Sequence, residues 1–337
     1  MSLKKRIATT LPINQSLEDT VKLVQWAEAN GFDDGWFADP GAPDGMTLAA
    51  AISPYVKRMR IGMAIVPVYT RSPTVLAASA DVIGQALPGR FVVGLGSSSE
   101  AIMENFNGIK MEKPLTRVKE TAILLKHILS GEKTNFTDLD TVYSRGYSQL
   151  PSEPRIPVYL AALRPKMIEM AAEHGDGVIF NLWPKKALPK MLEHVERGAA
   201  RSGRILEDVE IVNRFATIVS HDKSAACNQF RTHFIPYFAN PVYNKFLAWC
   251  GYPDEAEALD AGWRSRDRAL TAEAFHDDLV CSIGVVGTPE EARSRIREHA
   301  QEGITTSIIA PVGRMPIEEA IETLSAFSSD HFNLDAD

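Results

Sequence analysis

Short apolar runs alternate with amphipathic segments along nearly the whole sequence, and a helix-capping signal follows several of the runs. The clearest unit is RIGMAIVPVYTRSP at 60–73, where an apolar strand leads to Ser72 as a helix cap and Pro73 at the first helical position. A strand, a helix and a second strand joined by short links form the βαβ unit of a parallel sheet. This alternation therefore favours an α/β fold.

Eight such units fit within the 337 residues. The predicted strands lie at 6–12, 33–39, 60–67, 90–96, 156–163, 176–182, 209–220 and 306–313. We predict a (β/α)8 TIM barrel made by residues 1–337 as a single domain, with a doubly wound open sheet as the alternative. Two stretches interrupt the alternation, and we interpret them as an inserted loop or hairpin at 132–155 and a helical insertion at 222–280.

Composition argues against several classes of protein. The net charge is −7 without any block of Lys or Arg, which disfavours nucleic acid as a partner. The three cysteines form no CxxC pair, so we predict neither a zinc site nor a disulfide framework, and a cytoplasmic location fits. No apolar run approaches the roughly 18 residues of a transmembrane helix, so we predict no membrane association.

In a barrel of this kind the functional site lies at the carboxyl ends of the strands. Those ends are rich in small residues, as in FVVGLGSSSE, and offer few acid-base groups beyond Asp39 and Glu100. The sequence has no G-x-S-x-G elbow there and no set of His and carboxylate metal ligands, which weakens both a serine hydrolase and a metal-dependent hydrolase. We therefore predict a metal-free site that holds a cofactor with its own reactivity.

Two positions are candidates for binding the phosphate of such a cofactor. Leu163 and Arg164 precede Pro165 at the predicted start of a helix, where free amides and the positive end of the helix dipole attract an anion. The serines at 97–99 could add hydroxyl and amide groups. A solvated first-turn Arg164 without a ligand is the alternative.

Four segments are most informative when taken in order: IGMAIVPVYTRSPTVLAASA, LPGRFVVGLGSSSEA, PVYLAALRPKMIEMAAEHGDGVIFN and VVGTPEEA. Together they resemble the luciferase-like monooxygenase superfamily, and within it the branch of methylenetetrahydromethanopterin reductase-like oxidoreductases that use the deazaflavin coenzyme F420. The resemblance runs from about Arg6 to Gly313. It implies a (β/α)8 barrel that binds F420, or alternatively FMN, at the strand ends.

The resemblance also implies roles for particular residues. A non-prolyl cis peptide between Ala64 and Ile65 would support the deazaflavin ring, and Asp39 would form a hydrogen bond with it. The predicted cofactor-binding residues are Asp39, Ala64, Ile65, Gly96, Ser97, Ser98, Ala162, Leu163 and Arg164. The predicted substrate pocket contains Pro12, Asn181 and Trp183, and the candidate catalytic residues are Asp39 and Glu100, the latter bordering the substrate space.

One departure from the family pattern bears on the reaction. Sugar-phosphate dehydrogenases of this family have a histidine after the aspartate, whereas Asp39 is followed by Pro40. We therefore expect a reductase that passes hydride from F420 to a small-molecule acceptor with a C=C, C=N or similar bond, rather than an enzyme that oxidises an alcohol. An FMN-dependent monooxygenase and a non-catalytic flavin-binding relative are the alternatives. Because relatives are commonly dimers, we also expect a homodimer.

Bulky side chains crowd the inserted segment at 234–249. We interpret this segment as part of a lid or wall over the pocket, and core packing or a dimer contact is the alternative.

Overall fold

The computed structural model describes residues 3–12, 16–39 and 43–334. Within these ranges eight parallel strands pair side by side, and the eighth pairs with the first, so the sheet closes into a barrel. The strands are β1 Arg6–Leu11, β2 Asp34–Phe37, β3 Arg60–Met63, β4 Phe91–Gly96, β5 Val158–Ala161, β6 Gly177–Asn181, β7 Glu210–Val219 and β8 Thr306–Pro311. The predicted (β/α)8 barrel is confirmed.

Helices surround this barrel. The α-helices are Leu17–Ala29, Gly45–Ile52, Pro73–Ala86, Pro114–Leu129, Pro165–His174, Leu188–Arg201, Lys223–Phe238, Pro241–Trp249, Pro253–Ser265, Arg268–Ala274, Asp277–Ile283, Pro289–Gln301 and Ile317–Ser325. Short 3₁₀ segments lie at Ser53–Tyr55, Lys185–Ala187 and Leu206–Asp208, and a π-helix at Ala101–Phe106. The predicted cap at Ser72 is confirmed, since its side chain accepts a hydrogen bond from the Val75 amide. Ser16 caps the first helix in the same way, and Thr288 forms a capping box with Glu291.

The barrel interior is a packed core. Successive side chains of a strand point to opposite faces, and the inward-facing ones stack in layers. The inner cluster consists of Ala8, Trp36, Val92, Tyr159, Ile179, Val212 and Ile308. A larger apolar cluster joins the strands to the surrounding helices. Because large side chains fill the middle of the barrel, the space for a ligand lies at its carboxyl-terminal mouth.

The two interruptions in the alternation have different structures. In the first, Asn135–Phe136 pairs antiparallel with Ser144–Arg145 to form a short hairpin. In the second, five consecutive helices run from Lys223 to Ile283 in the described chain. Their apolar side chains pack with Leu182, Ala216, Ile218 and Val312, at or just beyond the ends of β6, β7 and β8. The helical insertion is therefore anchored on one side of the mouth.

Some elements differ from the sequence prediction. The third strand, predicted at 60–67, ends at Met63, and Val66–Pro67 pairs separately with β4. A helix at Gly45–Ile52, capped by Asp44, and a short strand at Val285–Gly287 beside β7 lie outside the predicted alternation. Residues 40–42, where the family histidine would stand, lie outside the described residues.

Candidate active site

The floor of the mouth is built from small and aliphatic side chains. Ala64, Ile65 and Ala161 are partly exposed and pack against the inner core cluster, so they form its upper surface. The peptide bond between Ala64 and Ile65 is cis, as the resemblance implies. A Cβ on Gly96 would lie 2.9 Å from Ile65 Cγ1 and 3.2 Å from the Ala161 Cβ, so only glycine fits there without a shift.

Glycine also brings β4 against the third strand. A Cβ on Gly94 would lie 1.8 Å from the carbonyl oxygen of Met63. No side chain can be accommodated at that distance, and the two backbones approach closely for this reason. The break in the third strand after Met63 therefore lies directly against the glycines of β4.

Asp39 follows β2 and is held in place by two donors. Its Oδ2 accepts a hydrogen bond from Arg71 Nη1 at 2.7 Å, and its Oδ1 accepts one from the Gly45 amide at 3.3 Å. Arg71 also contacts the Asp44 carboxylate, so one guanidinium holds two acids. Burial lowers the pKa of Arg71, but Asp39 and Asp44 outweigh this effect and raise the pKa. Sequence reasoning found Asp39 and missed Arg71, which stands at no strand end.

The predicted phosphate site lies on two neighbouring strands, because β4 and β5 pair directly. Ser97 and Ser98 follow β4 and are partly exposed, and Ser98 has a left-handed φ of 63°. Such a backbone is uncommon for residues other than glycine and is found at ligand-binding turns. Arg164 is exposed at the start of helix Pro165–His174, whose first turn has no side-chain cap. Pro165 has no N–H and the Met167 amide donates to the Arg164 carbonyl at 2.9 Å, so in the first turn the Lys166 amide is the one available to an anion.

Other predicted residues near this rim differ in exposure. Ala162 is buried and Leu163 is partly buried, so the β5–helix connection contributes backbone more than side chain. Glu100 is exposed and directly precedes the π-helix, and Pro12 is partly exposed after β1. Their roles stay predictions.

Asn181 ends β6 and faces the helical insertion. Its Nδ2 donates to the Tyr243 hydroxyl at 3.4 Å, whereas its buried Oδ1 has no hydrogen-bond partner among the described residues. Burial raises the pKa of Tyr243, which keeps the hydroxyl protonated. The segment at 234–249 thus lies beside the strand ends, and its function as a lid or wall stays a prediction.

Trp183 lies elsewhere. It is 3% exposed, its Nε1 donates to Asn213 Oδ1 at 2.8 Å, and its ring contacts Phe215 and His299. Burial lowers the pKa of His299 to about 3, as expected of a neutral packing histidine. The structure therefore places Trp183 in the core between barrel and helices, and does not bring it together with Asn181 at the mouth.

Two cavities open near the strand ends. One of about 280 Å³ lies beside Asp39 and Arg71 and is also lined by Pro67 and Met103. The other, of about 140 Å³, is lined by Arg214 and residues of β8 and the insertion.

No group of three or more His, Cys, Asp or Glu in the described ranges is placed to hold a metal ion. No helix of the described chain is long and apolar enough to cross a membrane.

The barrel with these strand ends matches one family of proteins. Residues 1–306 match the sequence profile of the luciferase-like monooxygenase family. The chain belongs to this family. Its curated relatives include the 5,10-methylenetetrahydromethanopterin reductase of Archaeoglobus fulgidus, 27% identical over 307 residues that cover 88% of this chain and 90% of that protein. The F420-dependent glucose-6-phosphate dehydrogenase of Intrasporangium calvum is 25% identical over 329 residues, which cover 90% of each chain.

Several solved structures share the fold. The F420-dependent tetrahydromethanopterin reductase of Methanopyrus kandleri superposes with a TM-score of 0.78 at 20% identity, covering 98% of this chain and 100% of that one. An F420-dependent secondary alcohol dehydrogenase in complex with an F420-acetone adduct gives 0.75 at 19% identity, with the same coverage. The FMN-bound oxygenating constituent of 3,6-diketocamphane monooxygenase from Pseudomonas putida gives 0.69 at 15% identity, covering 96% and 97%.

Proposed function

We propose that this chain is an F420-dependent oxidoreductase that reduces a small organic acceptor at a C=C, C=N or similar bond. The observation that supports it most is the floor formed by Ala64, Ile65 and Ala161 over a packed inner core. A flat ring fits such a floor, and the close approach of β4 at Gly96 leaves the floor free of larger side chains. The names of curated relatives, which include F420-dependent oxidoreductases, favour F420 over FMN for this ring.

The residues present suit the rest of such a cofactor. Arg164, the uncapped helix start beside it and the serines Ser97 and Ser98 would bind the phosphate. Asp39, already oriented by Arg71, retains acceptor capacity for a ring N–H, because a carboxylate can accept about four hydrogen bonds. When bound in its reduced form, F420 supplies a hydride.

The arrangement favours reduction of an acceptor over oxidation of an alcohol. Alcohol oxidation needs a base positioned to take the hydroxyl proton. The described lining of the larger cavity contains no histidine, and both of its carboxylates, Asp39 and Asp44, are held by Arg71. No described base is therefore free beside Asp39, and the histidine that lines a cavity at this mouth, His233, belongs to the other one, next to Arg214. Beside the ring the protein's task is to orient the acceptor.

Cofactor choice is tested by equilibrium titration of the purified protein with F420 and with FMN, followed by fluorescence. We expect micromolar or tighter binding of F420 and much weaker binding of FMN. Arg164→Gln should weaken F420 binding by about tenfold, since one charge-assisted contact is lost. Arg145→Gln, which removes an equally exposed arginine from the hairpin, should leave it unchanged.

The reaction is tested by mixing pre-reduced F420 with unsaturated or imine acceptors and following the return of oxidised F420 by absorbance. Turnover with such acceptors supports the reductase. Tight FMN binding with oxygen consumption would assign the chain to the flavin monooxygenases instead. Bound F420 without hydride exchange across the panel would favour the non-catalytic alternative.

The homodimer, the cytoplasmic location and the absence of a nucleic-acid partner also stay proposals. Sedimentation equilibrium tests the first, because a dimer has twice the 37.1 kDa mass of the chain.

A further inference from the structure

Arg214 stands inside the mouth of the barrel. It lies in β7 and pairs in register with Asn181 of β6 and Ile308 of β8. Val212, two residues earlier, packs in the inner core cluster, and alternate residues of a strand share a face. Arg214 is therefore the next inward-facing side chain of β7 above the core.

No carboxylate among the described residues forms an ion pair with the Arg214 guanidinium. Its Nε is buried without a hydrogen-bond partner among the described residues. The titratable side chains that face it, all from the insertion, are the hydroxyls of Tyr237 and Tyr243 and the imidazole of His233. Burial lowers the pKa of Arg214, and burial followed by the charge of Arg214 lowers the pKa of His233. Arg214 is partly buried, and withdrawing a cation from water is costly without an anion; within the described chain no carboxylate fills that role.

The same guanidinium opens onto a cavity. Arg214 and His233 line the space of about 140 Å³, together with Phe234, the backbone of β8 around Pro311, and Arg314 at its exposed rim. Two arginines thus border a cavity that has no acidic residue in its described lining. Beside Arg214 in register, the Asn181 Oδ1 is a second buried polar atom without a described partner.

We propose that Arg214 binds an oxyanion of the acceptor substrate, a carboxylate or a phosphate, so that the enzyme acts on anionic acceptors. This rests on the proposed function, and it names the class of acceptor. A guanidinium is the side chain best suited to such groups, because its charge-assisted hydrogen bonds are strong and geometrically specific. The site is separate from the predicted cofactor-phosphate site, which lies at the ends of β4 and β5 rather than on β7.

The first test measures anion binding without cofactor or turnover. Acetate and inorganic phosphate are titrated at constant ionic strength, and thermal shift and calorimetry are the readouts, since a ligand that binds the folded state raises its stability. We expect saturable binding to the native protein and about 10- to 100-fold weaker binding to Arg214→Gln. Arg214→Lys should retain part of the affinity, and Arg145→Gln all of it. Whichever of the two anions binds more tightly identifies the acceptor group.

Phosphate could also bind at the predicted cofactor site. In that case phosphate binding would be lost in Arg164→Gln and retained in Arg214→Gln. The proposal is overturned if both anions bind native protein and Arg214→Gln equally, or if neither binds the native protein. It is also overturned if Arg214→Gln melts at a clearly lower temperature without anions, because the arginine would then support the fold. Anion binding lost in Arg214→Gln, with no decrease in melting temperature, supports it.

A second readout separates this proposal from the proposed function. F420 titration of Arg214→Gln should match the native protein, whereas KM for an anionic acceptor should rise and KM for a neutral one should not. Failure of F420 to bind the native protein would overturn the proposed function while the anion titrations still decide the role of Arg214. Normal F420 binding with equal anion affinity in both proteins would overturn only the anion site.

Discussion

The two ends of the barrel each contain a partly buried arginine, and they surround it differently. At the base, Arg60 begins β3 and lies between two carboxylates, with Nη2 2.5 Å from both Asp34 Oδ2 and Glu210 Oε1. Hydroxyl groups of Tyr159 and Thr306 donate to Glu210 at 2.5 and 2.6 Å. Every charge in this layer has a partner. Such a network orders the strands at the end of the barrel where ligands do not bind.

At the mouth, Arg214 has neither a carboxylate nor a hydrogen-bond partner for its Nε in the described chain. A buried polar group that has hydrogen-bond and charge partners within the protein can be retained without loss of stability. A buried polar group without such partners lowers the stability of the free protein, and a ligand that supplies the partner removes this cost. The comparison teaches that charge compensation, rather than residue type, separates the stabilising arginine from the binding one.

The largest expected effect separates the two arginines directly. Arg60→Met should lower the free energy of unfolding by about 3–5 kcal/mol, because Asp34 and Glu210 would be left buried without a cation. Arg214→Met, the same change at the mouth, should leave the free energy of unfolding unchanged or raise it. Urea denaturation followed by circular dichroism measures both. If the two variants lost the same free energy of unfolding, the two arginines would not differ in their contribution to stability.

The acid dependence of stability tests the charge network around Arg60 at the base of the barrel. Burial raises the pKa of Glu210, but Arg60, Thr306 and Tyr159 outweigh it and hold the pKa at about 2, below the ordinary 4.5. As pH falls from 4.5 towards 2, the unfolded chain binds a proton that the folded chain does not, so up to about 3 kcal/mol of stability is lost. Glu210→Gln should be less stable at neutral pH and lack this part of the acid slope. Urea unfolding at several pH values measures this slope. If the free energy of unfolding of Glu210→Gln fell with pH below 4.5 as steeply as that of the native protein, Glu210 would not be the group responsible.

A third change tests charge compensation beside the predicted ring site. Arg71→Met would leave Asp39 without its strongest partner, so we expect a loss of about 1–2 kcal/mol in stability and roughly tenfold weaker F420 binding. The exposed helix pair Arg264–Asp260 supplies the control, because Arg264→Met should cost no more than about 0.5 kcal/mol. Unfolding curves and F420 titrations measure the two effects. Unaltered F420 affinity in Arg71→Met would mean that Asp39 needs no orientation by Arg71.

The smallest expected effect lies where the insertion meets the mouth. Tyr243→Phe removes the hydroxyl that accepts a long, 3.4 Å hydrogen bond from Asn181. We expect stability to change by less than about 1 kcal/mol, F420 binding to stay the same and KM for the acceptor to rise about two- to fivefold. Steady-state kinetics with the best acceptor measures the last. A larger effect on F420 than on the acceptor would place this contact on the cofactor side.

Local signals account for the parts of the fold that the sequence predicted well. A serine followed by a proline and an apolar periodic segment favours the start of a helix, because capping involves only neighbouring residues. Ser72 and Pro73 form such a pair. Asp39 was found as a site candidate for a similar reason, because it directly ends an apolar strand. Arg71 was not, because its partner Asp39 is 32 residues away and only the closed barrel brings them together.

The sequence by itself therefore determined the eight strands, the ends of all but the third to within two residues, and the family to which the chain belongs. Only the tertiary structure decided that Arg60 is neutralised while Arg214 is not, and that Trp183 packs outside the barrel while Asn181 faces its mouth. The physical reason is that inward or outward direction depends on the register of each strand with both neighbours. Charge compensation depends in turn on which distant side chains that register brings into the same layer.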